Sequence, residues 1–459
     1  MEFDVIIVGG GPGGYVAAIR AAQLGLKVAV VEKDNLGGTC LNRGCIPTKA
    51  LVASAQLWHS VKNAGTFGIN IEGASLDFRR VMERKEEIVA NLVKGIEFLF
   101  SRHKIQLFRG TGKILGSGTV EVATAEGGAE QLTGKNIIIA TGSEPVLITA
   151  LGYNGQTVIT SNEALELQEI PKSLLIVGGG VIGCEFASIF HAFGTEVTIV
   201  EAMPSILPLV DEEISRRLQL LMKNRGITVK TKTTITSVTE RDGQVVAALD
   251  SGEEIAAEKV LISIGRTFNT RGLGLENVGV ATGPKGEILV DDYMRTNVPG
   301  IYAIGDVTNK IQLAHVASAQ GIVAVEHIAG GTRAMDYGVV PSCIFTMPEV
   351  ASVGLTSQEA KTKGIKTKVG KFPFTALGKA HCLGETEGVV KIIADAGTDK
   401  VLGVHILGPH ATDLIAEAAL AMQMGATAQE IAHTIHAHPT LAESMMEAAE
   451  NVHRLSIHA

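Results

Sequence analysis

The chain has 459 residues, 53 of them glycine, with only 4% aromatic residues and a net charge of −8. Such a length suits about three domains with enough interior to fold without cross-links. Five cysteines are too few for a secreted disulfide framework, and no basic run points to nucleic acid or to an anionic membrane.

Phe3 to Val8 already reads as a buried strand, so the sequence suggests no leader peptide. No stretch reaches the roughly 18 uncharged apolar residues of a membrane span, and the expected location is the cytoplasm. The first strand leads into Gly9-Gly10-Gly11-Pro12-Gly13-Gly14 and an apolar helix through Leu24, then a second strand from Lys27 to Val31, ending at Glu32. Strand, glycine turn, helix and strand open a dinucleotide-binding unit. Asp77 to Lys104 predicts a long amphipathic helix with a solvated charged face. About 170 residues after the first turn the plan returns: Leu174 to Val177, then Gly178-Gly179-Gly180-Val181-Ile182-Gly183, then Glu196 to Val200, ending at Glu201. Val260 to Ile264 closes this second unit at Gly265-Arg266, and Gly300 to Asp306 reads as a buried strand ending in an acidic turn. From about Val340 the pattern becomes that of a separate C-terminal α+β domain. The fold class is therefore α/β, with two Rossmann-like units and a further C-terminal domain.

The chemistry gathers at four places. Gly9, Gly11 and Gly14 let a pyrophosphate approach a helix N-terminus, and Glu32, 18 residues beyond Gly14, is placed to accept a ribose hydroxyl. Gly178, Gly180, Gly183 and Glu201 repeat that spacing, so two nucleotides are expected. The Glu201 carboxylate would repel a 2′-phosphate, and no Lys or Arg lies between it and Arg216 to neutralise one, which favours NAD over NADP. Cys40 and Cys45 flank Leu41-Asn42-Arg43-Gly44. In a regular helix their Cα atoms would stand roughly 8–9 Å apart, too far for a disulfide, so the segment must be distorted at Gly44. Pro47 is expected to start a helix whose dipole would stabilise a Cys45 thiolate. At the far end, His438 stands five residues before Glu443, where a carboxylate could hold it as a base. Cys184, Cys343 and Cys382 read as small buried hydrophobes, and no metal site is expected.

These segments, GGTCLNRGCIPTK (37–49), ATGS (140–143), GGGVIGCE (178–185), YAIGD (302–306), LAH (313–315) and HAHPTLAE (436–443), make the chain resemble the flavin disulfide reductases, and within that family its dihydrolipoamide-oxidising branch. The resemblance covers essentially the whole chain. It implies an FAD-binding domain (1–145), an NAD-binding domain (146–267), a central domain completing the FAD site (268–338) and a dimerisation domain (339–459). It further implies that Thr141, Gly142, Ser143, Asp306, Gln312, Leu313, Ala314 and His315 line FAD, and that Lys49 pairs with Glu185 beside the flavin. Val181, Ile182 and Gly265 would join the NAD site. Cys45 would face the flavin and Cys40 the substrate, with His438 reaching them from the other chain of a homodimer. A lipoyl domain of a 2-oxo acid dehydrogenase, acetoin or glycine cleavage complex would supply the substrate, and the catalytic motifs do not say which. Three positions depart from the family pattern: Thr48 for Ser, Phe268 for Pro and Gln320 for Glu.

Two other readings compete. One is an NAD(P)H-dependent reductase of another disulfide or of a metal ion; against it, the C-terminus lacks the extra cysteine pair of such relatives. The other is a scaffold subunit of a larger complex; intact Cys40, Cys45, His438 and Glu443 oppose that.

Overall fold

The computed structural model describes residues 2–241 and 243–459. The chain divides into two compact units, each assembled from three separate segments.

The first unit comprises residues 1–51, 79–146 and 265–336. Its sheet runs in the order Gln106–Arg109, Val28–Glu32, Glu2–Val8, Ala129–Ile139, then the hairpin strands Thr119–Ala123 and Thr111–Gly116. Ile301–Ala303 adds to Ala129–Ile139 in parallel. Val5, Ile6 and Ile7 are fully buried, as expected of a continuous β-branched run in a parallel strand covered on both faces. Helix Pro12–Gln23 follows the first glycine turn. The charged helix expected from Asp77 runs Phe78–Arg102, and Arg80 bonds Glu87 on its solvated face at 2.7 Å.

The second unit comprises residues 52–78, 147–264 and 337–459. Its parallel sheet is ordered Thr228–Thr231, Glu196–Glu201, Ser173–Val177, Lys259–Ile262, Val158–Ile159. The strand expected to run to Ile264 stops at Ile262. Ser263 still donates its N–H to the Val177 carbonyl at 2.8 Å, and pairing ends there because the partner strand turns away at Gly178, with φ 103°. The Ser263 hydroxyl bonds the carbonyls of Val177 and Gly178, both at 3.0 Å. The C-terminal α+β part is a five-stranded antiparallel sheet, Ser342–Ile344, Glu349–Gly354, Val401–Gly408, Val389–Asp395, Thr367–Pro373. Helices Ala411–Gln423 and Glu443–Val452 pack on it through a core that includes Phe372, Ile406, Ile415 and Met445.

Candidate active site

The two glycine turns are built alike. A Cβ at Gly14 would lie 1.9 Å from the Gly9 carbonyl oxygen, and one at Gly183 2.0 Å from that of Gly178, so only glycine lets each helix start this close to its strand. Glu32 accepts the backbone N–H of Gly10 at 2.6 Å and of Asp34 at 2.8 Å. Glu201 accepts those of Gly179 at 2.6 Å and Met203 at 2.7 Å. Each carboxylate thus braces its own turn, a role the spacing alone did not reveal, and two of its roughly four acceptor positions remain. Neither helix has a side-chain N-cap, so N–H groups of the first turns are left for an anion. A Cβ at Gly180 would meet nothing within 4 Å, and one at Gly11 only Gly38 at 3.8 Å. These open, donor-lined turns fit a dinucleotide pyrophosphate. Val181 and Ile182 begin the second helix.

Thr141, Gly142 and Ser143 form a compact polar cluster with Asn269, Arg266 and Asp306. Thr141 Oγ1 donates to the Asn269 carbonyl at 2.8 Å, and Gly142 has a positive φ of 68°. Ser143 Oγ donates to Asp306 Oδ2 at 2.5 Å and accepts from Arg266 Nε at 2.7 Å. Arg266 also reaches the Asp306 carboxylate at 3.7 Å; the sequence marked it only as the end of a turn. Gly265 lies beside it in the first unit. Gln312 and Leu313 lead into helix Ala314–Ile328, which carries His315 in its first turn and also lacks a side-chain N-cap. Gln320 is fully buried and accepts the Gly305 N–H at 2.7 Å. That contact needs an acceptor oxygen, which Gln supplies as Glu would. Phe268 ends the strand Arg266–Phe268 and joins the apolar core.

The cysteine segment breaks where expected. Helix Gly38–Arg43 ends at Gly44, with φ −149° and ψ −113°, and helix Cys45–Lys62 starts at the next residue. A Cβ at Gly44 would sit 2.9 Å from the Thr39 carbonyl oxygen and 3.3 Å from Cys40 Cα. The break brings both cysteines together as thiols. The bond with Cys45 and then burial push the Cys40 thiol up, while the Lys49 charge draws it down. Cys45 occupies the first position of its helix, where the dipole favours a thiolate. Asn42 ties the segment to the carbonyls of Leu36 at 3.1 Å and Gly38 at 2.9 Å. Tyr15, absent from the sequence expectations, also borders the pair: burial, then the nearby Cys40, push its hydroxyl above its ordinary value.

In the second unit, His438 donates from Nδ1 to Glu443 Oε1 at 2.8 Å, and Thr440 N–H holds the other carboxylate oxygen at 2.8 Å. Burial raises the Glu443 carboxyl, but these two bonds outweigh it and hold it below its ordinary value. Nε2 is then the ring's basic nitrogen, on a side chain 78% exposed. The neighbouring His436 is different: its side chain is 5% exposed, and its nitrogens face Glu417 at 2.9 Å and the Thr434 carbonyl at 2.7 Å. Glu185 is buried in helix Val181–Phe193 and accepts the Phe345 N–H at 2.9 Å.

The pattern of the pyridine nucleotide-disulphide oxidoreductases matches residues 3–321, and that of their dimerisation domain residues 340–449. The chain belongs to this family. Within it the chain is 48% identical to the dihydrolipoyl dehydrogenase of Bacillus subtilis, over 100% of its own length and 99% of that protein's. It is 44% identical to the mitochondrial dihydrolipoyl dehydrogenase of Pisum sativum, covering 100% and 93%. LpdA from Mycobacterium tuberculosis superposes with a TM-score of 0.92 at 29% identity, covering 97% and 99%. The oxidoreductase is thus of the dihydrolipoyl dehydrogenase kind and uses FAD and NAD, and it carries the dimerisation domain of the family. One expectation for this oxidoreductase is corrected: Cys184 is buried, but Cys343 is only half-buried and Cys382 is exposed, because helix Gly378–Leu383 turns Ala380 rather than Cys382 into the core. Among the described residues no helix is long and apolar enough to cross a membrane, and no group of three or more His, Cys, Asp or Glu side chains is disposed to hold a metal.

Proposed function

We propose that the chain oxidises dihydrolipoamide carried on a partner's lipoyl domain and reduces NAD, with His438 of one chain serving the cysteine pair of its partner in the homodimer. The observation that carries this reading is the meeting of Cys40 and Cys45 across the Gly44 break, at the start of a helix. Residues 1–145 would bind FAD, 146–267 NAD, 268–338 complete the FAD site and 339–459 form the interface, in the cytoplasm.

In the oxidised enzyme Cys40 and Cys45 share a disulfide. His438 Nε2 takes a proton from one substrate thiol, Glu443 stabilising the imidazolium, and the thiolate attacks Cys40 Sγ. The Cys40–Cys45 bond breaks and Cys45 departs as a thiolate, favoured by its helix N-terminus and the Lys49 charge. The second substrate thiol then displaces Cys40, closing the lipoamide ring and giving its proton to Cys40; the first proton leaves from His438. Bound FAD supplies the two-electron chemistry that links the thiol pair to NAD. Glu32 and Glu201 hold the two phosphate-facing turns open, while Asp306, fixed by Ser143 and Arg266, and Lys49 shape the flavin's surroundings. Initial rates with dihydrolipoamide and either NAD or NADP test the proposal. Turnover with NAD and little with NADP is expected; turnover only with a different disulfide would overturn it.

A further inference from the structure

The second unit contains a cavity of about 210 Å³ that the proposed reaction does not use, walled by His59, Lys62, His191 and Arg225 and floored by Met222 and Ile227. Its basic side chains come from three different parts of the fold: the end of helix Cys45–Lys62, the end of helix Val181–Phe193, and the turn after helix Glu212–Asn224. They are held in place. Lys62 donates to the Ala192 carbonyl at 3.0 Å and lies over the Trp58 ring at 5.2 Å. Arg225 donates to the Met347 carbonyl at 2.6 Å and pairs with Glu387. Both retain unspent N–H donors, and the Ser188 hydroxyl adds another polar group to the wall.

We propose that this cavity is a binding site for a small dianion, a phosphate or a phosphomonoester whose short carbon part rests on Met222 and Ile227. Among the groups that act most strongly on His59, Glu387 opposes three basic neighbours, and it is already committed to Arg225. An anion would therefore relieve a cluster of like charges and gain charge-assisted hydrogen bonds. The site is separate from the NAD turn: His191 lies ten residues along the helix from Val181, about 15 Å at the usual rise.

The empty site carries a sign-definite signature. Burial lowers His59 below its ordinary value, followed by Arg225 and Lys62, with Glu387 opposing and His191 adding slightly. A bound dianion raises it again, so binding takes up a proton and tightens as pH falls through the imidazole range.

Calorimetric titration of the FAD-loaded dimer at constant ionic strength tests this. Sulfate, which keeps its two charges throughout, serves for the pH series; inorganic phosphate and glycerol phosphate separate a free ion from a phosphomonoester. Saturable sulfate binding is expected, tighter at about pH 6 than at about pH 8. The Lys62→Met/His59→Gln double variant should lose about tenfold or more, the equivalent of 1.4 kcal/mol, with NADH-driven reduction of an artificial acceptor unchanged. Tighter binding of glycerol phosphate than of inorganic phosphate assigns the ester, and the reverse assigns the free ion. No saturable heat, or sulfate affinity indifferent to both pH and the double substitution, overturns the site. Should the double variant not fold, the wild-type pH series decides alone.

Discussion

His438 and His436 stand two residues apart in the same turn, yet only one is free to act. His436 spends both nitrogens on Thr434 and Glu417 in a nearly closed environment, whereas His438 keeps Nε2 for solvent or substrate. Replacing His438 with Gln should lower dihydrolipoamide turnover by about 10²- to 10⁴-fold, the usual worth of a positioned base, and leave NADH-driven reduction of artificial acceptors intact. Equal loss of both activities, measured by steady-state kinetics, would remove His438 from that role. The sequence pointed to His438 through its spacing to Glu443, but it offered no way to see that His436 is occupied, because Glu417 lies 19 positions away. Tyr15 was invisible for the same reason: 25 positions separate it from Cys40, and only the folded first unit brings them together. At Gly44 the steric case is local. Ala would drive a methyl group against Thr39 and Cys40, so Gly44→Ala should slow thiol–disulfide exchange and cost about 1–3 kcal/mol of stability, measured by rapid mixing with dihydrolipoamide and by denaturant melts.

The glycine turns and their bracing acids act as whole elements, and their duplication gives a paired prediction. Glu32→Ala should weaken FAD retention and Glu201→Ala should raise the KM for NAD, each by about ten- to a hundredfold. That follows from about 1.5–3 kcal/mol for a hydrogen bond to a charged group. Each variant should spare the other cofactor, as flavin release and NAD kinetics would show. These elements were legible because a continuous apolar run, a glycine turn and a terminal acid are all local signals. The strand that stops at Ile262 was not, since its end is set by the turn of the neighbouring strand at Gly178, far away in the chain. Nor was the link between Asp211, which caps helix Glu212–Asn224, and Lys391 at 2.7 Å, 180 positions on. Burial raises the Asp211 carboxyl, but Lys391 and the Ser357 N–H outweigh it and hold it at about 2. With a folded value below the unfolded one, its contribution is full above about pH 4 and is lost as pH falls toward 2, some 2 kcal/mol in all. Asp211→Asn should flatten acid unfolding in that window and lower stability at neutral pH by about 1–3 kcal/mol, because buried Lys391 is then left with Glu213 at 3.4 Å as its carboxylate partner.

At the scale of the molecule, local motifs identified two nucleotide units, and the residue pattern after Val340 identified the separate C-terminal sheet. Their assembly was beyond such motifs: each compact unit collects three distant stretches, and helix Cys45–Lys62 passes from one to the other after Leu51. The proposed sharing of active sites across the homodimer makes a further prediction. Chains carrying Cys40→Ser and chains carrying His438→Gln should each be nearly inactive toward dihydrolipoamide. Random re-pairing of the two should restore about a quarter of wild-type activity, since half the dimers then hold one complete site; no recovery would place both residues in the same chain's site. The relay from substrate thiols through Cys40 and Cys45 to flavin and NAD is tested most directly by anaerobic titration of the FAD-loaded protein, followed by visible absorbance. Dihydrolipoamide should raise a long-wavelength band from the Cys45 thiolate against the flavin, abolished in Cys45→Ser, and NADH but not NADPH should reduce the protein. A spectrum unmoved by dihydrolipoamide while NADH still bleaches it would contradict the account.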